Sequence, residues 1–166
     1  MFFEAFVGLF PENKLEKVVS MVKLQSVVVG TYTFKVSMSK KVWRRIAISS
    51  KSTLEDLHYA ILDAYGFDED NHLYSFFMDG KKYSNYRYNS PNDEEGPFVD
   101  EAKIGKIELY IGQRVLYLFD YGDSWQFSVV LEGIRDEGAL VIKPVVIESL
   151  GEAPIQYNED YDEYYF

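Results

Sequence analysis

The sequence predicts a single α+β domain in which a β-hairpin and a capped helix precede a mostly antiparallel sheet, with helices packed on one face. Three observations support this fold class. Residues 31–48 alternate between apolar and polar side chains, residues 53–65 carry an apolar stripe at helical spacing, and the apolar runs after residue 114 are short. We expect the domain to span residues 1–150 and an acidic, aromatic tail to span residues 151–166.

A helix and a hairpin are predicted for the first third of the chain. Residues 12–23 place a leucine and three valines on one helical face. Residues 31–38 and 42–48 have the alternation of two paired strands. On the second strand, Arg44 shares the face of the aliphatic residues and Trp43 lies on the opposite face.

The clearest helix spans residues 53–65, because its start, its face and its end all carry consistent signals. A capping box begins at Ser52 or at Thr53, each of which is followed three residues later by an acidic side chain. Gly66 suits the left-handed residue that ends a helix. The hairpin followed by this helix is similar to the start of a β-grasp fold. The apolar stripe of the helix consists of Leu54, Leu57, Ile61, Ala64 and Tyr65.

Turn and loop signals dominate the middle of the chain. Asp79-Gly80 predicts a two-residue hairpin turn between strands at 73–78 and 81–83. Residues 84–101 are predicted to form a long polar loop. Residues 104–111 are compatible with either a short strand or a helical turn.

Three further strands complete the predicted sheet. Residues 115–121 are apolar on both faces, which indicates a central strand, and residues 125–132 alternate. The last strand is predicted at 140–147, where Pro144 indicates an edge. Residues 157–166 show no period, so we expect them to be mobile unless a partner or the aromatic core holds them.

The composition excludes several kinds of site. Without Cys, the chain forms no disulfide, no thiolate nucleophile and no Cys-based zinc site, and two histidines exclude a His-rich metal site. A net charge of −10 disfavours nucleic acid as a partner. No apolar run reaches membrane-spanning length and no signal peptide is evident, so we expect a cytoplasmic protein without a membrane partner.

The segment from Leu118 to Trp125 is the most unusual part of the sequence, because it sets two carboxylates around a glycine turn between apolar strands. In a structural interpretation, Asp120 forms an ion pair with Arg44, or Asp120 and Asp123 cap the turn through backbone N–H groups. In a functional interpretation these residues belong to a site, and a divalent cation, if one binds, contacts Asp120 and Asp123. The candidate site consists of Asp120, Asp123, Arg44, His72, Trp125 and Trp43.

The two histidines receive different interpretations. His58 lies at the margin of the helical stripe and is predicted to be a hydrogen-bonded residue at the edge of the core. His72 follows an acidic loop and is freer to serve a site or to cap a strand.

An ordered set of short segments resembles a known family, the plasmid pRiA4b open-reading-frame-three-like family, over roughly residues 30–135. The resemblance implies a compact α+β domain but no established activity, and some members of the family occur near mobile elements. The segments that carry it are Val42-Trp43-Arg44-Arg45-Ile46, Asp56-Leu57-His58 with Ile61, Gly66-Phe67, His72-Leu73 with Phe76, and the run from Phe119 to Trp125.

Three functions are compatible with the sequence. The first is a binding or adaptor module that recognises a protein or a small ligand through the aromatic, Asp-rich turn, and the lack of a complete catalytic set favours it. The second is a carboxylate-based enzyme that uses Asp120 and Asp123, with or without a divalent cation. The third is a nucleic-acid accessory protein, suggested by the mobile-element neighbourhood and disfavoured by the charge. No cofactor is evident.

Overall fold

The structure is a computed structural model that describes residues 29–136 and 141–157. Within this part of the chain, seven strands form one antiparallel sheet and one α-helix packs on one of its faces, which confirms a helix-on-sheet domain. The predicted helix at 12–23 and the tail beyond residue 157 lie outside the described residues. In chain order the elements are β1 (Thr31–Ser39), β2 (Val42–Ser49), α1 (Leu54–Tyr65), β3 (Tyr74–Phe77), β4 (Arg87–Asn89), a 3-10 turn (Val99–Glu101), β5 (Arg114–Phe119), β6 (Trp125–Arg135) and β7 (Val145–Leu150).

The strand order is β4-β3-β5-β6-β1-β2-β7, so that β7 forms one edge of the sheet and β4 the other. The predicted hairpin is confirmed, because β1 and β2 pair antiparallel from Thr31 opposite Ser49 towards the turn at 40–41. Its alternation sets a buried face against the helix, with Phe34 and Ile46 among the core residues. The β-grasp-like start stays a prediction.

Helix α1 begins at a capping box, as predicted, and Thr53 is the residue that forms it. The Thr53 hydroxyl accepts from the Asp56 backbone N–H at 3.2 Å, and the Asp56 carboxylate accepts from the Thr53 N–H at 2.8 Å. Gly66 ends the helix with a φ of 68°, a left-handed conformation that glycine adopts without a steric penalty. The buried face consists of Leu54, Leu57, His58, Ile61, Leu62 and Tyr65.

The predicted two-residue hairpin at Asp79-Gly80 is wrong. Strand β3 ends at Phe77, and its partner β4 starts only at Arg87. The Asp79 carboxylate accepts from the Lys81 N–H at 3.1 Å and from the Ser84 hydroxyl at 2.6 Å. These local bonds hold a wider loop, because a short acidic side chain that bonds its own following residues stabilises a turn rather than a strand.

The prediction of one long loop at 84–101 is only partly right. The structure places β4 and the 3-10 turn inside this segment, and Asn89 joins it to the sheet. The Asn89 side chain accepts from the Ser75 hydroxyl at 2.6 Å and donates to the Glu95 carbonyl at 2.8 Å. Residues 104–111 form turns, neither a strand nor a helix, although Ile104 is fully buried.

The last three strands confirm the predicted sheet with shifted ends. β5 is central, since it pairs with β3 and β6, and it ends at Phe119 instead of residue 121. β6 continues to Arg135. β7 is an edge strand as expected, but it begins only after Pro144, and all six of its residues are exposed. Among the described residues, no helix is long and apolar enough to cross a membrane.

We expect Leu57→Ala to lower the free energy of unfolding by about 2–5 kcal/mol, because the Leu57 side chain is 1% exposed and its loss leaves a cavity between α1 and the sheet. Urea denaturation measures this change. Ile111→Ala is the matched control, since Ile111 is 62% exposed and its truncation should change stability by less than about 0.5 kcal/mol. Equal effects of the two variants would contradict the assigned core face.

Candidate functional site

The Asp-rich turn is the loop that joins β5 to β6 after the last strand pair, Phe119 opposite Trp125. Asp120 has a φ of 59° and Ser124 a φ of 57°, so the strand ends where the backbone becomes left-handed. Oδ1 of Asp120 accepts from the N–H groups of Gly122 at 3.0 Å and Asp123 at 3.3 Å. The turn-capping interpretation is therefore confirmed for Asp120, whose short polar side chain suits a left-handed backbone.

His72 joins the turn to the segment that follows β7. Oδ2 of Asp120 lies 3.5 Å from Nε2 of His72, and the same nitrogen lies 3.3 Å from the Tyr157 hydroxyl. Tyr157 donates to the Asp70 carboxylate at 2.8 Å. Burial and the Asp70 carboxylate raise the pKa of Tyr157 to about 12, so this hydroxyl keeps its proton at neutral pH. The start of the tail is thus held against the domain.

Arg44 does not pair with Asp120, and the predicted ion pair is wrong. The guanidinium donates to three carbonyls instead: Ala64 at 3.2 Å, Trp43 at 2.9 Å and Leu150 at 2.9 Å. It also lies 4.9 Å from the centre of the Tyr65 ring. Carbonyl dipoles and an aromatic face compensate the buried charge, so no carboxylate is required.

Trp43 lies on the face of the sheet opposite α1, because it alternates with the core residues Arg44 and Ile46 of β2. Lys35 and Arg45 each lie 4.7 Å from the centre of a Trp43 ring, one on the neighbouring strand and one two residues along. Arg45 also bonds Glu132 at 2.7 Å and Glu148. Two basic side chains therefore contact the Trp43 ring, and two carboxylates neutralise the charge of one of these side chains, Arg45.

Trp125 and Asp123 are the remaining residues of the predicted site. Trp125 packs edge-to-face on Phe67, with ring centres 4.9 Å apart, and its Nε1 is buried without a hydrogen-bond partner. Asp123 is exposed on the turn. The structure thus brings Asp120, Asp123, His72 and Trp125 to one end of the sheet. In the described part of the chain, no three His, Asp or Glu side chains are arranged to hold a metal ion.

His58 lies deeper in the core than the edge position predicted from the sequence. It is fully buried, Nδ1 lies 2.6 Å from the Tyr117 hydroxyl, and the imidazole stacks on Tyr74 with ring centres 3.6 Å apart. Burial lowers the pKa of His58 to about 3, so the imidazole is neutral in the folded protein. Its place one turn from both Leu54 and Leu62 was the signal for a core position.

A groove between α1 and β7 is the concave feature that the sequence did not indicate. Its volume is about 340 Å³, and neither Asp120 nor Asp123 lines it. Four residues of α1 at positions 56, 59, 60 and 63 form one wall, which is a second helical face beside the buried one. The lining residues are Ile46, Asp56, Tyr59, Ala60, Asp63, Lys143, Pro144, Val145 and Val146.

Comparison with known proteins agrees with this architecture. The family model described as Plasmid pRiA4b ORF-3-like protein matches residues 31–165. The chain belongs to this family. The match continues past residue 135, where the resemblance in the sequence ended, and so includes β7 and most of the tail.

A solved structure supports the fold of this member of the family. It is the crystal structure of a protein of unknown function from Methanosarcina mazei Go1, which is 27% identical. The TM-score is 0.58, and the alignment covers 73% of this chain and 70% of that chain. No curated protein matches the sequence.

We expect Asp120→Ala to lower stability by about 1–3 kcal/mol, because it removes two turn hydrogen bonds and leaves a left-handed residue without its local acceptor. Asp120→Asn is the control that keeps an acceptor oxygen, and it should cost less. In chemical denaturation, Asp120→Ala and Arg44→Ala should be additive within about 0.5 kcal/mol, since the two side chains share no partner. A larger coupling free energy between the two substitutions would show that Asp120 and Arg44 interact after all.

We expect His58 to make folding sensitive to acid. Its pKa is about 3 in the folded protein and near 6.5 when unfolded, so between these values the unfolded state binds the extra proton. His58 stabilises fully above pH 6.5, and stability is lost as the pH falls towards 3, by on the order of 1 kcal/mol per pH unit. Denaturation at several pH values should show a shallower acid slope for His58→Phe, which keeps the stacked ring. Parallel curves would contradict the assignment.

Proposed function

We propose that this protein is a binding module that takes up an extended polypeptide segment along the edge strand β7 and in the groove between α1 and β7. The observation that carries the proposal is the exposed apolar edge itself. Val145, Val146, Ile147 and Leu150 are between 41% and 55% exposed, although they belong to a strand that pairs with β2 on both sides of a β-bulge at Ile147.

An exposed, apolar edge strand is a template for a further strand. In the described part of the chain, β7 pairs with β2 on one side and with no strand on the other. Soluble proteins usually protect such an edge with charges, bulges or a covering segment. β7 is protected only in part, by a β-bulge between Val146 and Glu148 and by one charged side chain, Glu148, which Arg45 binds on the face opposite α1. Strand addition would satisfy the outer backbone groups and cover the aliphatic side chains.

The groove supplies the specificity that backbone pairing lacks. Val146 pairs with Ile46, a core residue that faces α1, so Val146 lies on the helix side of the sheet. A segment added beside β7 would direct every second side chain to this same side, towards the wall formed by Tyr59 and Ala60. An edge strand and a helix that flank one groove are a common arrangement for binding peptides.

The Asp-rich turn supports the rival functions less well. Oδ1 of Asp120 already serves the turn and Oδ2 faces His72, so this carboxylate serves the structure. A carboxylate pair for catalysis would need both groups in a cleft, and the groove contains neither. A role for Asp123, His72 and Trp125 as a second contact for a protein or small ligand stays a proposal. The net charge of −10 continues to disfavour nucleic acid.

The test is a selection from a displayed library of random peptides long enough to cover β7. We expect the wild-type protein to enrich peptides with alternating aliphatic residues, and Val146→Lys to weaken their binding on the order of tenfold, because the charge lies on the apolar floor. Ile111→Lys is the matched control at an exposed aliphatic residue away from β7 and should bind normally. Failure to enrich any peptide, or equal binding by Val146→Lys, would overturn the proposal.

A further inference from the structure

We infer that the N-terminal segment, residues 12–23, packs as a second helix in the groove between α1 and β7, and that a partner peptide has to displace it. The competition rests on the proposed function and adds a form of regulation to it. Two observations lead to this inference. One side of the sheet is uncovered, and the N-terminal segment carries an apolar stripe that needs a surface.

The sheet is wider than one helix can cover. Seven strands spaced by about 4.8 Å make a sheet about 29 Å across, whereas a helix with its side chains is about 10–12 Å wide. α1 packs on the middle strands, where Tyr65 lies against Phe127 of β6, and all six residues of β7 are exposed. Helices that pack side by side lie about 8–10 Å apart, which is the width of two strands. A second helix beside α1 therefore falls over β2 and β7.

The groove has the apolar surface that such a helix requires. Its floor includes Ile46 and Val146, and its wall includes Tyr59 and Ala60 of α1. Val146 is 41% exposed and Tyr59 is 49% exposed, so both offer apolar area that a helix would remove from water. Ala60 is small, which allows a neighbouring helix to approach α1 closely. This surface faces the helix side of the sheet, where the core already lies.

The N-terminal segment has the complementary pattern. Its apolar residues follow the spacing i, i+3, i+4 and i+7 of one helical face, and Asn13 and Ser20 fall on the opposite face. A helix of this length is marginal in water by itself and is stabilised when its apolar face packs on another element. The family match begins at residue 31, so this segment is an addition to the family domain. The stripe consists of Leu15, Val18, Val19 and Val22.

The start of β1 places the N-terminal segment within reach of the groove. Gly30 donates its N–H to the Ser50 hydroxyl at 3.0 Å and accepts from the Ser50 N–H at 2.9 Å. The chain therefore enters the sheet just before Thr53, the N-cap of α1, and Asp56 of the first turn lines the groove at this same end. β1 and β7 are two strand spacings apart, about 10 Å, and residues 24–28 can span about 17 Å. A helix reached in this way runs antiparallel to α1.

A docked N-terminal segment and a bound peptide would need the same groove. Its volume of about 340 Å³ has one apolar floor, and Val146 belongs to it in both arrangements. The apparent affinity for a peptide is then reduced by the fraction of molecules in which the groove is free. The segment thus sets a threshold that a partner has to exceed.

The first test is a cross-link between the N-terminal segment and β7. The chain contains no Cys, so an introduced pair of thiols reacts specifically. Val18→Cys with Val146→Cys should form an intramolecular cross-link with a short bis-maleimide, detected by mass spectrometry. Ser20→Cys with Val146→Cys is the matched control, because it places the thiol on the opposite face of the same predicted helix, and it should react on the order of tenfold less.

Two results of this cross-linking would overturn the inference. Equal yields from the two pairs would show that the apolar stripe does not face β7. A cross-linked dimer in place of a cross-linked monomer would show that the groove takes the segment of a second copy.

The second test measures the competition. Val18→Lys together with Val22→Lys puts two charges on the apolar stripe, and this variant should bind the peptides selected above on the order of tenfold more tightly than the wild-type protein does, by isothermal titration calorimetry. Asn13→Lys together with Ser20→Lys is the matched control, since it adds the same charge to the polar face, and it should bind like the wild-type protein. An equal gain in both variants would reduce the effect to net charge and overturn the inference.

The two proposals fail in different ways. Peptides that bind the wild-type protein and the variant with a charged stripe equally well would overturn the displacement and leave the edge-strand module intact. A specific cross-link together with an empty library selection would overturn the module and support the second helix in the groove.

Discussion

The packing of α1 on the aromatic face of the sheet is the contact on which the rest of this structure depends. Its centre is the imidazole of His58, which stacks on Tyr74 and bonds the hydroxyl of Tyr117. This bond satisfies Nδ1 of His58 and the Tyr117 hydroxyl, and its loss at this depth would cost about 1–3 kcal/mol. Nε2 of His58 is buried without a hydrogen-bond partner among the described residues. Because these rings fix the helix, they also fix the second helical face that becomes the wall of the groove.

Arg44 connects this core to the edge of the sheet. Its guanidinium reaches the carbonyl of Ala64 at the end of α1 and the carbonyl of Leu150 at the end of β7. One side chain on β2 therefore holds both elements that border the groove. A buried arginine costs free energy to desolvate. The hydrogen bonds that Arg44 makes here set the position of the helix end relative to the last strand.

The sequence predicts best where several local signals agree. The capping box at Thr53, the stripe through Leu57 and the glycine at 66 all indicate one helix, and the structure has it there. The hairpin at 31–49 and the edge position of the last strand were likewise predictable from alternation and from Pro144.

The sequence predicts poorly where a side chain chooses between local and distant partners. Asp79 bonds its own loop instead of permitting a tight hairpin, and Asn89 ties a polar stretch into the sheet. Arg44 and Asp120 looked like complementary charges because each lies on an apolar strand face. Backbone groups satisfied both, and the availability of carbonyls and N–H groups depends on the tertiary arrangement.

The acidity of the chain gains a role once the exposed edge of β7 is considered. An apolar edge invites identical copies to pair with each other and to aggregate. A net charge of −10 makes two copies repel, so mutual repulsion opposes self-association through the exposed edge. This electrostatic repulsion between copies disappears as the pH approaches the isoelectric point near 4.7, where this protein should be least soluble.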